Sequence, residues 1–398
     1  MSWPRSMRAF YAFTFFWALN PTQGLWILYL LHCHWSLLQV GFAEAGFHVV
    51  SFLAQVPTGL YADHWGRQKS LAAGLIVQAV TTSATLIAAP NSVILGGLAI
   101  SLGALAWAFI GGANQALLFD LLPEESAVTL FGRVYGAVFA LDLAVGALST
   151  AVGGWLAAHY GWAFPYGITV VSALSGLVPV YLLPVARSSS RSRVTWKLGV
   201  GSMRSALISA RAIPQLSLWI GLGAGLATFA TINNLYAQST LVFKGASIET
   251  ASFLVALSGI VTALGGWLSG RLNAFNPARL LSLGAMGLGI AISMVGWFPL
   301  KGSSLGYLSA AGLDGVLDPV YETAITGVAP QDWRATILSL PSAGFSLGMI
   351  ILFPLAGWGM EDYHLKLVYG FLGLGLILVG VGFRRALRPF TRSFGKAS

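Results

Sequence analysis

Residues Gly59–Leu71 read GLYADHWGRQKSL, a short polar stretch between two long apolar segments. The stretch carries three charged side chains, Asp63, Arg67 and Lys69. Gly66 is suited to the sharp reversal that a short connection between two helices needs. The sequence therefore predicts a tight polar turn joining two apolar helices.

The composition of the whole chain indicates where such helices reside. Of the 398 residues, 56% are hydrophobic and only 9% are charged, which is far less charge than a soluble chain of this length carries. We therefore expect a polytopic all-α membrane protein, whose 48 glycines allow helices to pack closely in lipid. The net charge of +9 comes from basic residues in short loops and tails, so no nucleic-acid partner is predicted.

Twelve apolar segments are each long enough to cross a hydrocarbon core, which needs about 20 residues. Segments 1 to 6 span roughly 10–31, 40–62, 70–89, 93–121, 131–158 and 164–183. Segments 7 to 12 span roughly 213–242, 251–272, 278–298, 305–328, 335–360 and 365–387. We predict an N-terminal bundle of six helices over 1–186, a cytoplasmic linker over 187–212, and a C-terminal bundle with a basic tail over 213–398.

The distribution of basic residues predicts the orientation. With the N-terminus inside, only Lys244, Lys301 and Lys366 of the 22 Lys and Arg residues lie outside. Both termini are therefore expected to be cytoplasmic. The first apolar run is too long for the core of a signal peptide and is interpreted as an uncleaved helix.

The two halves of the chain share sequence features. The whole chain resembles the major facilitator superfamily of secondary transporters. The resemblance depends on the pattern G-x-x-x-D-x-x-G-R at Gly59, Asp63, Gly66 and Arg67, on the six-plus-six arrangement, and on the run Arg-Ala-Thr-x-x-Ser from Arg334. It implies two pseudo-symmetric bundles, with segments 1, 4, 7 and 10 around a central cavity.

The resemblance also implies a gate. Asp63 would dock near Arg334 at the start of segment 11, and Arg67 would pair with Asp120 at the end of segment 4. One departure concerns the Gly-Pro pair that proton antiporters of the family often carry in segment 5. Here Ser149 and Thr150 occupy that place, which leaves the direction of coupling open.

Acidic residues inside the apolar segments are the main candidates for proton coupling, because a charge at the bilayer centre costs about 3 kcal/mol or more. They are Glu44 in segment 2, Asp142 in segment 5, and Asp314, Asp318 and Glu322 in segment 10. The last three recur every four residues and so share one broad helix face. Pro319 is expected to break the helix beside Asp318. The alternative is that Asp318 is hydrogen-bonded to a neighbouring helix.

Segment 2 offers a second candidate pair. Glu44 and His48 lie one turn apart, and histidine titrates near neutral pH. The pair begins a polar stripe that continues with Ser51, Gln55 and Thr58, and a structural hydrogen-bond seam is the stronger interpretation of this stripe. The spacing of the remaining histidines predicts no metal site.

The family arrangement would line the cavity with amide, aromatic and acidic side chains. The candidates are Asn20, Gln23, Trp26, Trp107, Asn114, Gln115, Asn233, Asn234, Tyr236, Asp314, Asp318 and Tyr321. Such a lining favours a lipophilic cation over an anion.

These features together predict a secondary transporter of a bacterial plasma membrane that exports small hydrophobic or cationic compounds by alternating access. The proton gradient would supply the energy without a cofactor, and one chain could suffice. A proton-coupled uptake symporter for a neutral or cationic solute is the first alternative, and a non-transporting receptor or scaffold is the second. An enzyme is not predicted, because the sequence has no phosphate-binding glycine loop and no nucleophile–base pair.

Overall fold

A computed structural model of the protein describes residues 5–123, 127–184, 214–272, 275–328, 334–362 and 364–394. In the first half α1 is Arg5–Ala18, α2 is Trp26–His32, α3 is Leu37–Trp65, α4 is Arg67–Ala88, α5 is Val93–Asp120, α6 is Ala127–Tyr160 and α7 is Ala163–Tyr181. In the second half α8 is Pro214–Phe243, α9 is Ile248–Ser269, α10 is Pro277–Trp297, α11 is Leu300–Val328, α12 is Arg334–Asp362 and α13 is Leu365–Phe394. The predicted linker 187–212 lies outside these residues.

The prediction of an all-α polytopic membrane protein is confirmed. Within the described residues, 10 helices are long and apolar enough to cross a membrane, namely α3 to α10, α12 and α13. The two other predicted crossings, segments 1 and 10, depart from the expected form, each for a physical reason.

Segment 1 is not one helix but two, separated by a 3-10 turn over Pro21–Gly24. Pro21 cannot donate a backbone hydrogen bond, so it favours a break at this point. The Asn20 side chain closes the turn by accepting from the Gln23 amide at 3.3 Å and from the Thr22 hydroxyl at 2.7 Å. The Thr169 hydroxyl of α7 donates to the same oxygen at 3.2 Å.

Segment 10 forms α11, a single helix of 29 residues that is too polar to qualify by the same criterion of length and composition. The helix break expected at Pro319 does not occur. The helix continues through this residue to Val328. Close packing supports α11 just before the proline. A Cβ atom at Gly315 would overlap the backbone of Thr262 in α9, so the two helices touch through their backbones.

The chain divides into two compact units. The first comprises Met1–Trp196 and Ile248–Ala256, and the second comprises Lys197–Ser247 and Leu257–Ser398. The first turns of α9 therefore belong with the N-terminal unit, where Glu249 contacts His159 at 3.0 Å. The domain bounds derived from sequence place the whole of α9 in the C-terminal bundle.

A lysine fastens the loop after α8 within the second unit. The Lys244 ammonium donates to the carbonyl oxygens of Val295, Gly296 and Phe298, at 2.6, 2.9 and 2.6 Å, and to the Ser303 hydroxyl at 2.8 Å. Burial, and then the charge of Lys366, lower the pKa of Lys244. The hydrogen bonds to these four oxygens offset that desolvation and hold the C-terminal end of α10 in place.

Candidate substrate and cation site

The strongest candidate site is a cavity of about 160 Å³ within the second unit, between α8, α11 and α12. It is lined by Gly223, Leu226, Ala227, Asp314, Leu317, Asp318, Tyr321, Glu322, Pro341, Ser342 and Phe345. The cavity combines apolar walls with three carboxyl groups, a combination that suits an organic cation better than a neutral apolar molecule.

The three carboxyl groups reach this cavity because α11 stays helical throughout. Asp314, Asp318 and Glu322 recur every four residues, so each lies one turn beyond the last on the same side. Among the described residues, no ion pair includes any of them. Their charge must therefore be balanced by protons, by water or by a cation that comes from outside.

Tyr321 also lines this cavity, and its hydroxyl group is buried. Its side chain is only 4% exposed, and its hydroxyl oxygen has no hydrogen-bond partner among the described residues. A Cβ atom at Gly223 would overlap this hydroxyl, so only glycine leaves room for it. Sequence reasoning found Tyr321 but missed Gly223. The available signal was the glycine-rich run of Gly221, Gly223 and Gly225, although residues two apart on a helix do not share a face, so the run alone does not single out Gly223.

The predicted site residues of α8, Asn233, Asn234 and Tyr236, have different surroundings. The Tyr307 hydroxyl donates to Asn234 Oδ1 at 2.7 Å and also lies 3.0 Å from the Ser258 hydroxyl. Asn233 Oδ1 is buried without a partner among the described residues. Tyr236 does not line the cavity, because it is fully buried, stacks on Phe353 and donates to the carbonyl oxygen of Phe353 at 3.0 Å.

The remaining predicted cavity residues belong to the first unit. Asn20 is buried in the turn described above, whereas Gln23 is exposed and Trp26 is half-buried. Trp107 meets Trp17 edge to face, with ring centroids 5.2 Å apart.

The two amides near the end of α5 also differ. Gln115 is exposed, and its Nε2 donates to the Tyr135 hydroxyl at 3.0 Å. The Oδ1 atom of Asn114 is buried and has no partner among the described residues.

The other predicted proton-coupling residues also lie in the first unit. Glu44 and His48 are both buried and 3.4 Å apart, and they form an ion pair when His48 is protonated. Further along α3, Gln55 is exposed. Asp142 is half-buried in α6.

The polar stretch 59–71 forms the end of α3 and the start of α4. Gly66 separates the two helices with a φ of 100°, a conformation that favours glycine. Arg67 donates to Asp120 and, at 2.9 Å, to the carbonyl oxygen of Ala116, which ties α4 to the end of α5. Asp63 is exposed on the last turn of α3, and the side chain of Arg334 lies outside the described residues.

Gln68, the residue after Arg67, connects the start of α4 to the end of α7. Its Nε2 donates to the carbonyl oxygens of Val180 and Leu183, at 2.9 and 3.1 Å. Val180 lies in the last turn of α7 and Leu183 just after the helix, where carbonyl oxygens are open to partners from outside it. A neutral amide is enough to cap them.

The cavity does not resemble a metal centre. Within the described part of the chain, no group of three or more His, Cys, Asp or Glu side chains could hold a metal ion. The three carboxyl groups of α11 are therefore spread along the helix rather than gathered around one point.

Comparisons with known proteins agree on the architecture. The family model described as Major Facilitator Superfamily matches residues 8–340. An uncharacterized transporter of Buchnera aphidicola is 24% identical over 150 residues, a match that covers 37% of this chain and 36% of that protein.

Solved structures resemble the whole chain at low identity, which indicates a shared fold. The nucleoside transporter NupG has a TM-score of 0.76 at 14% identity, with 96% of this chain and 99% of that chain covered. A D-xylose-proton symporter has a TM-score of 0.72 at 15% identity, with 95% of both chains covered. A peptide transporter of the POT family solved with sulfate has a TM-score of 0.76 at 13% identity, with 97% and 94% covered.

Proposed function

Because the chain belongs to the major facilitator superfamily and is a multi-pass membrane transporter, we propose that it exports small hydrophobic or cationic compounds in exchange for protons. Transport would proceed by alternating access, and the proton gradient across a bacterial plasma membrane would supply the energy. No cofactor enters this scheme.

One observation carries the proposal: three carboxyl groups share a cavity with apolar walls, and no described residue forms an ion pair with them. A carboxylate in such surroundings is stabilised either by a proton or by a positively charged substrate. The two cannot occupy one carboxylate together. Competition between them couples proton entry on one side to release of the cation on that side.

Asp318 is the proposed coupling residue. It is the middle of the three acids and is more exposed to the cavity than Asp314. Protons and substrate can therefore both reach it. Glu44, His48 and Asp142 are proposed only as secondary proton sites, because they lie in the other unit and do not line this cavity.

Sealed inside-out vesicles with an imposed pH gradient test the proposal. We expect the wild-type protein to accumulate at least one of a panel of lipophilic cations, and Asp318→Asn to lose this accumulation. Glu361→Gln is the matched control, because it removes an exposed carboxylate at the far end of α12. The control should transport at the wild-type rate.

Two results would contradict the proposal. Full transport by Asp318→Asn would exclude this residue from coupling. Failure of every cation to accumulate, together with gradient-driven uptake of a neutral solute in right-side-out vesicles, would favour a symporter instead.

A further inference from the structure

The negative charge of the cavity is elongated. Asp314, Asp318 and Glu322 lie on successive turns of α11, so their backbone positions extend over about 12 Å at 1.5 Å per residue. All three line one cavity. A ligand that satisfies more than one of them must itself carry separated charges.

A divalent metal ion does not fit this arrangement. Mg²⁺ and Ca²⁺ gather about six or more oxygens within about 2.6 Å of one point. The described residues contain no group of acidic, histidine or cysteine side chains that could hold such an ion. The charge to be matched is therefore organic and distributed.

A second observation indicates a ligand with N–H groups. Tyr321 lines the same cavity and is almost fully buried, and its hydroxyl, which lies beside Gly223 of the cavity wall, lacks a hydrogen-bond partner among the described residues. A buried polar atom without a partner is costly, and a bound ligand would relieve that cost. The hydroxyl oxygen can accept a hydrogen bond from an ammonium group.

The rest of the wall suits methylene groups. Leu226, Leu317 and Phe345 line the cavity, and Leu317 lies between the first two acids in sequence. The volume of about 160 Å³ is close to that of a cavity of about 150 Å³ known to hold benzene. The site therefore has room for a chain of roughly six non-hydrogen atoms.

We propose that this cavity binds a linear diamine, with its two ammonium groups on the carboxylates of Asp314 and Asp318 and its methylene chain along Leu317. The ammonium groups of a four-carbon diamine are separated by a distance comparable to one helical turn, about 5.4 Å. Glu322 would accept the additional ammonium group of a longer polyamine. This inference rests on the proposed function, since it names the class of cation that the site would carry.

Binding to the purified full-length protein in nanodiscs tests the inference. The probes are putrescine and butylamine, which share a four-carbon chain but differ by one ammonium group. We expect putrescine to bind about tenfold more tightly, as one additional charged contact in a partly buried site would provide. Asp318→Asn should abolish this preference, and Tyr321→Phe should weaken both probes about threefold. Glu361→Gln should retain the tenfold preference.

Three results would overturn the inference. They are equal affinity of the two amines in the wild type, a preference that survives both Asp314→Asn and Asp318→Asn, and competition by Mg²⁺ at the concentrations at which putrescine binds. Thermal unfolding of each variant in nanodiscs establishes that it is folded.

A transport assay separates this inference from the proposed function. The same preparation is placed in liposomes with a pH gradient and offered a monovalent lipophilic cation. If this cation is transported but the binding assay shows no preference for putrescine over butylamine, the diamine site is overturned and proton-coupled export is still supported. Loss of all cation transport would count against the proposed function itself.

Discussion

At the scale of single residues, Gly223 controls the shape of the cavity. A Cβ atom there would overlap the Tyr321 hydroxyl, whereas the neighbourhood of Gly221 on the same helix is open. We expect Gly223→Ala to displace the phenol ring into the cavity and to reduce cation transport at least about tenfold, because overpacking costs about 1–3 kcal/mol. Initial rates in vesicles measure this.

The matched control is Gly221→Ala, which should leave transport within about twofold of the wild type because nothing lies within 4 Å of the new methyl group. Equal loss in both variants would mean that α8 tolerates no added side chain. The specific contact between Gly223 and Tyr321 would then not be the cause.

The residues of the site were predictable from sequence to the extent that charge is conspicuous in an apolar segment. Asp314, Asp318 and Glu322 stand out for that reason, and all three line the cavity. Tyr236 packs on Phe353 and is not among the residues that line this cavity, and a helical pattern rich in apolar residues does not reveal which face is buried.

At the scale of secondary-structure elements, the contact between Arg67 and Asp120 joins α4 to the end of α5. The side chains are 28% and 38% exposed, so we expect Asp120→Asn to change the unfolding free energy by less than about 1 kcal/mol. Transport should nevertheless fall several-fold, since a small bias is sufficient to shift a two-state gate. Thermal unfolding and vesicle transport on one preparation measure both effects.

Lys69→Ala serves as the control, because Lys69 is exposed and lies in the same turn. It should leave both quantities unchanged. A large loss of stability in Asp120→Asn, with transport falling only in proportion to folded protein, would show that the contact holds the fold and does not gate transport.

In the second half of the chain, Gly266–Arg271 resembles the stretch around Gly66, but its arginine makes a different contact. Arg271, at the end of the corresponding stretch, lies over the ring of Trp267, with its guanidinium carbon 3.9 Å from the ring centroid. Trp267 lies in the last turn of α9 and Arg271 just after that helix, so this cation–π contact joins no second helix. Only the stretch around Gly66 therefore couples two helices through its arginine in the described structure.

Helix positions were predictable because apolar length is a strong signal, whereas helix continuity was not. Pro21 ends a helix and Pro319 does not, although both follow a polar residue in an apolar segment. The difference arises from tertiary contacts, since Asn20 is hydrogen-bonded to Thr169 and Gly315 packs against the backbone of Thr262. Neither Thr169 nor Thr262 is near in sequence to the proline concerned, so the local sequence does not reveal these contacts.

At the scale of the whole molecule, the single cysteine reports the orientation of the chain. Cys33 follows α2 and is half-buried, and the distribution of basic residues predicts that this loop lies outside. We expect a membrane-impermeant maleimide added to whole cells to label it. Burial raises the pKa of the Cys33 thiol, an effect that a hydrogen bond with Tyr29 only partly opposes. The thiolate fraction, and with it the labelling rate, should increase about tenfold per pH unit from pH 7 to 8.

The reciprocal variant carries Cys33→Ser together with Ser398→Cys. It should be labelled in inside-out vesicles and not in whole cells, as a cytoplasmic C-terminus requires. Labelling of Cys33 only from the cytoplasmic side would reverse the predicted orientation.

The divided first crossing also has a consequence for biosynthesis. The α1 helix has 14 residues and spans about 21 Å, which is less than the roughly 30 Å of a hydrocarbon core. The Asn20 side chain receives its hydrogen bond from Thr169 only after a further 149 residues have been synthesised. Until then the turn depends on the two hydrogen bonds that Asn20 accepts from Thr22 and Gln23. The contact that ties this turn to α7 therefore forms late, although the ribosome makes α1 first.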